Sequence, residues 1–156
     1  MQEQKEERMV TIRQLMESNE ETSKWVGRPP LPMPQDTILI PEELDQLRAH
    51  VKAMTDLRRQ RVGQLGEMQI ELDDLCKTLE EEPQQEVERH MLMDDAANVV
   101  LSDANMAAVV AFMERLQHKL ADNKKRKQAM EDKIQVHLNF FKTSRKPGQR
   151  TEICFI

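Results

Sequence analysis

Between Leu44 and Leu79, apolar side chains recur at alternating three- and four-residue steps: Leu44, Leu47, Val51, Met54, then Leu65, Met68, Leu72, Leu75 and Leu79. A stripe of this period lies along one face of an α-helix and is incompatible with the two-residue alternation of a strand. It cannot remain in water, so another helix has to cover it. Pro41 suits the first helical position, where its missing N–H costs nothing, and Glu42 and Glu43 complement the positive end of the helix dipole. Pro83 follows the acidic Glu80, Glu81 and Glu82, so the pattern predicts a helix over 41–82, roughly 60 Å long at about 1.5 Å per residue. Arg58 and Arg61 interrupt the stripe, and with Gly63 and Gly66 nearby they mark its expected weak point.

A second stripe runs through Met106, Val109, Met113, Leu116 and Leu120, passes polar Asn123 and Lys127, and resumes at Met130 and Ile134. It predicts a helix over 103–138, capped by Ser102 or Asp103. Residues 1–26 read as the end of an upstream rod helix, with Met9, Ile12, Met16 and Val26 at helical spacing. Asn19 and Ser23 stand there at positions an apolar stripe would fill. Five of the seven prolines lie between Pro29 and Pro41, which makes 27–40 a proline-rich linker. Residues 84–101 read as a connector carrying an apolar patch at Val99, Val100 and Leu101. From 139 to 156 periodicity vanishes, and a disordered basic tail is expected. The fold expected is all-α: an elongated antiparallel hairpin over 41–138, spectrin-like or coiled-coil, with a preceding helix. Its stripes would be buried on each other, on the first helix, or on a second copy.

Composition narrows function mainly by exclusion. The aromatic residues are Trp25, Phe112, Phe140, Phe141 and Phe155, with no tyrosine, too few to line a typical ligand pocket. The sequence holds no Gly-rich phosphate loop, no HExxH, no GxSxG and no paired Cys-x-x-Cys, so it offers no catalytic residue, cofactor site or metal site. His90 with Asp94 and Asp95 is better explained as a solvated connector than as a ligand set. Cys76 reads as a small apolar residue of the helix seam. No apolar run approaches the ~20 residues of a membrane span, and the charged MQEQKEERMV is neither a signal nor a transit peptide. A reduced, soluble, intracellular protein is expected.

Charge is distributed unevenly. Residues 1–118 carry 13 basic and 24 acidic side chains, a net of −11, whereas residues 119–156 carry 10 basic and 4 acidic, a net of +6. Within the basic part, Lys124, Lys125, Arg126 and Lys127 form a run suited to electrostatic contact with a polyanion or an acidic filament surface. Nucleic acid is the least favoured partner, because no aromatic interleaves with the run for base stacking. Three function classes stand at this point: a structural spacer rod, a generic coiled-coil scaffold, and a nucleic-acid-binding accessory.

The residues also carry a family resemblance. IPEELDQLRAHVKAMTDLRRQR, its continuation to ELDDLCKTLEEEP, and NMAAVVAFMERLQHKLADNKKRKQAMEDKI resemble the central rod of the protein regulator of cytokinesis / anaphase spindle elongation family. That family's rod has a proline-marked break, a Pro-x-x-Glu-Leu-x-x-Leu-like helix start, a Leu-Cys near the helix end, a connector and a third helix rich in Gln, Lys and Glu. The counterparts here are Pro41, Glu43, Leu44, Leu47, Leu75, Cys76 and residues 104–134, and QEQKEERMVTIRQL resembles the helix before the break. The resemblance covers roughly residues 2–135. After it, where the family has a Leu-Trp pair and further helices, this chain reads FFKTSRKPGQRTEICFI. The resemblance implies a non-catalytic microtubule crosslinker of the cytoplasm and cytoskeleton, acting at the mitotic spindle midzone and in cytokinesis. Its implied partners are microtubules, bound weakly by this segment, and other midzone proteins or itself through the helical seams. It also implies a truncated or alternatively spliced product, because the family's microtubule-binding domain and its dimerisation helices lie outside the matched region.

Overall fold

The computed structural model describes residues 1–34 and 39–144, and everything below refers to those residues. They form α1 (Gln2–Val26), α2 (Pro41–Leu79), α3 (Glu86–Met93), a single 3-10 turn (Ala96–Asn98) and α4 (Asp103–Ser144), with no strand among them. The fold is all-α. The chain divides into two compact units, Met1–Leu116 and Gln117–Ile156.

In the first unit α1 packs on α2, as do α3 and the 3-10 turn. From the α2 stripe, Leu47, Met54, Leu65, Leu72 and Leu75 are buried, while Leu44, Val51, Met68 and Leu79 are half-buried at its margins. From α4, Val109, Phe112 and Leu116 enter the core, with Met106 and Met113 half-buried. Phe112 is one residue off the expected spacing, and its ring packs under the Arg115 guanidinium, 5.0 Å away.

The proline segment does not separate α1 from α2, which share one unit. Asn19, which looked like a fault in the α1 stripe, explains part of the reason. Its Nδ2 donates to the Leu31 carbonyl and its Oδ1 accepts from the Leu31 N–H, both at 3.0 Å. One side-chain amide thus supplies the donor and acceptor that an irregular backbone residue needs. Gly27 ends α1 in the left-handed region, at φ 66°, and its N–H reaches the Lys24 carbonyl. A Cβ there would collide with Ser102, so the glycine serves both the cap and the close approach.

Four expected boundaries move. The helix predicted over 41–82 ends at Leu79, because Glu80 turns left-handed (φ 52°) and the Glu81 N–H closes on the Cys76 carbonyl at 3.0 Å. The expected connector over 84–101 contains α3 and the 3-10 turn, and it contributes Met91, Ala96, Val99 and Leu101 to the core. Eight residues are too few for a strong periodic signal, which is why α3 was not legible. The third helix continues past 138 to Ser144, so a tail beginning at 139 is replaced by helix over 139–144. The domain division likewise falls after Leu116, inside the expected 41–138 hairpin. Residues 145–156, the rest of the expected tail, lie outside the described residues.

Candidate functional site

The second unit is described over residues 117–144, all within α4. Every side chain from Asn123 to Ser144 is exposed. The helix is supported along its own surface by pairs four residues apart. Gln128 Nε2 donates to Asp132 Oδ1 at 2.9 Å, Gln135 Nε2 donates to Asn139 Oδ1 at 3.1 Å, and His118 Nδ1 lies 3.2 Å from Asp122 Oδ2.

Lys124, Lys125, Arg126 and Lys127 all lie on this exposed helix. At about 100° per residue, four consecutive side chains are spread almost evenly around the axis. The run is therefore a collar that presents positive charge in every direction. Lys127 falls on the line of the apolar stripe, where its Nζ lies 4.0 Å from Glu131. A collar can meet an acidic surface from any approach, but it cannot grip one through a shaped, one-sided interface.

The two seam residues expected farthest along this helix, Met130 and Ile134, are not buried. Their exposures are 64% and 58%, and Leu138, Phe140 and Phe141 are likewise exposed. The polar Asn123 and Lys127 break the stripe directly after Leu120, so the burial that ends near Leu116 is not resumed.

In the first unit, the residues expected to be the weak point of α2 instead hold its neighbours. Arg58 lies over the Trp25 ring at 4.7 Å and donates to the Ala97 carbonyl at 3.0 Å. Arg61 donates to the Leu101 carbonyl at 2.6 Å and pairs with Asp103, whose carboxylate also meets Arg28 at 3.4 Å. The Trp25 carbonyl accepts from the Leu101 N–H at 2.8 Å. A guanidinium carries five donors on a long stem, so it can satisfy carbonyls that the irregular 96–101 backbone leaves unpaired. The hydrogen bond from Arg61, helped by the charge of Arg28, holds the Asp103 carboxyl below its usual range. Apolar periodicity registers these arginines only as interruptions. The irregular segment they bind, separated from them by about forty residues, is invisible to it.

Cys76 is half-buried, and burial pushes its thiol above the ordinary value, as does the charge of Asp73. His90 is exposed, with Nδ1 at 2.9 Å from Asp94 and Nε2 at 3.6 Å from Glu86; the bond to Asp94 raises its pKa. Among the described residues no group of three or more His, Cys, Asp or Glu is placed to hold a metal ion. No helix among them is long and apolar enough to cross a membrane.

These features define a helical protein whose most basic segment is an exposed helix. A family model, described as microtubule associated protein (MAP65/ASE1 family), matches residues 1–146. The chain belongs to the MAP65/ASE1 family of microtubule-associated proteins, a structural family of the cytoskeleton. No curated protein and no solved structure matches it.

Proposed function

We propose that this chain is a non-catalytic rod segment of a microtubule-crosslinking protein, working at the spindle midzone in cytokinesis, and that it meets the microtubule through the basic part of α4. Family membership supports the filament, and the charge distribution supports the segment. Residues 119–144 carry seven basic and three acidic side chains on an exposed helix, whereas residues 1–118 carry a net of −11. The observation that carries the reading is the exposed collar of Lys124, Lys125, Arg126 and Lys127. The acidic tubulin surface attracts that collar and repels the rest of the chain. Exposed charge pairs contribute only ~0–1 kcal/mol each, so this contact is weak and assists a larger assembly rather than anchoring it.

Co-sedimentation with microtubules across a salt series tests the reading. Binding that is measurable at low salt and falls steeply as the Debye length shrinks below about 10 Å is expected. Absence of binding at low salt contradicts it. Equally strong binding to duplex DNA at the same salt would favour a general polyanion contact over a filament one.

A further inference from the structure

The exposed half of α4 has a second feature, an apolar row that runs past the collar. We infer that its apolar stripe, from Leu120 through Met130, Ile134 and Leu138 to Phe141, is a docking face for an acidic amphipathic helix of another protein.

The last four of these side chains retain 64%, 58%, 50% and 66% of their accessible surface. They repeat at four-, four- and three-residue steps and so share one face of the helix. Single exposed apolar residues need no explanation, but a row of large ones at this spacing has the form of a helix–helix seam.

The charges beside the row select the occupant. Lys119, Arg126 and Lys133 recur at seven-residue spacing along one flank, while the other flank carries Lys124 and Glu131, with Leu138 where that flank meets the stripe. Lys127 lies in the stripe itself. A second copy fits poorly in either orientation. Antiparallel pairing sets the Lys119, Arg126 and Lys133 row against itself. Parallel pairing brings Lys127 against Lys127 and His137 against His137 in the seam, and of the flanking pairs only Arg126 with Glu131 is complementary. A partner helix with a row of Asp or Glu at seven-residue spacing faces the basic flank favourably and also neutralises Lys127. Of the collar, only Lys125 lies on the side away from the stripe, so a docked helix covers part of the filament contact, but the docking does not depend on that contact.

The test uses the full chain and two synthetic helix-forming probes of about four heptads. Both carry Leu and Ile at the seam positions; one has Glu at the flanking positions and the other has Lys. Fluorescence anisotropy is read at physiological salt, below the concentration at which either probe self-associates. The expected result is a preference for the Glu probe of roughly tenfold or more. Met130→Ser with Ile134→Ser should abolish binding while leaving the circular dichroism and melting temperature unchanged, since both residues are exposed. Lys119→Glu with Arg126→Glu and Lys133→Glu should reverse the preference toward the Lys probe. Equal binding of both probes, binding of neither, or an unreversed preference overturns the inference. So does a concentration-dependent dimer, detected by sedimentation, that the two serine substitutions dissociate.

Discussion

Glu88 and Arg115 form a paired hydrogen bond at the last buried turn of α4, with Nη1 and Nη2 donating to Oε1 and Oε2 at 2.9 and 3.2 Å. The Glu88 side chain is 3% exposed, the Arg115 side chain 44%. Oε2 also accepts the N–H groups of Gln84 and Gln85, at 2.9 and 3.2 Å, and so closes the start of α3. One carboxylate thereby ties α3 to α4 and caps a helix.

Burial pushes the Glu88 carboxyl up, but the hydrogen bonds from Arg115 and from the Gln85 and Gln84 backbone outweigh it, leaving the group below its ordinary value. A carboxylate depressed in the folded state stabilises the fold above the ordinary carboxylate range and loses that contribution as pH falls through its folded value. Glu88→Gln should lower stability at neutral pH and flatten the acid limb of a melting-temperature profile. An unchanged acid limb would show that the pair contributes nothing.

Arg61→Leu would complete the apolar stripe of α2, yet the structure gives the opposite expectation to the one periodicity suggests. The Arg61 side chain is 12% exposed and bonds both Leu101 and Asp103. Its removal leaves a carbonyl without its donor and should cost about 1–3 kcal/mol. Arg58→Leu loses the Ala97 bond and the Trp25 stacking, with a smaller cost of about 1 kcal/mol. Urea titrations check both; a raised midpoint for either contradicts the clamp.

The α2 glycines and Gly27 should respond in opposite directions. A Cβ at Gly63 or Gly66 meets nothing within 4 Å, so Gly→Ala at either should stabilise by about 0.5–1 kcal/mol. Gly27→Ala places a side chain at φ 66° and against Ser102, and should destabilise by more than about 1 kcal/mol. Thermal melts of the three variants decide it.

Seam burial gives a graded test along α4. Leu72 and Leu116 are 0% and 2% exposed, so Leu→Ala at either should cost about 2–5 kcal/mol. Met130→Ala and Ile134→Ala, at exposed positions, should stay within about 0.5 kcal/mol of the parent chain. Equal costs at all four positions would mean that the stripe is buried along its whole length.

The long helices were legible because each carries many repeats of one period, and Pro41 punctuates them by its own stereochemistry. What periodicity could not show was polar. Asn19, Arg58 and Arg61 interrupt apolar rows, and each of them bonds irregular backbone whose position depends on the folded structure. Glu88 lies in a helix of eight residues, too short to announce itself, and meets an arginine 27 positions away. The basic run was legible as charge. Its form as a collar follows from helical geometry once the helix is known to continue through it. The exposure of Met130 and Ile134 was hidden because a stripe in a sequence says that it needs covering, not that it is covered.

The most direct measurement is microtubule co-sedimentation of the chain beside a variant carrying Lys124→Glu, Lys125→Glu, Arg126→Glu and Lys127→Glu. All four side chains are exposed, so the fold should be retained. The account predicts that the parent chain pellets with microtubules at low salt and that the variant remains in the supernatant. Tight, salt-resistant pelleting of the variant would contradict it and would place the filament contact elsewhere on the chain.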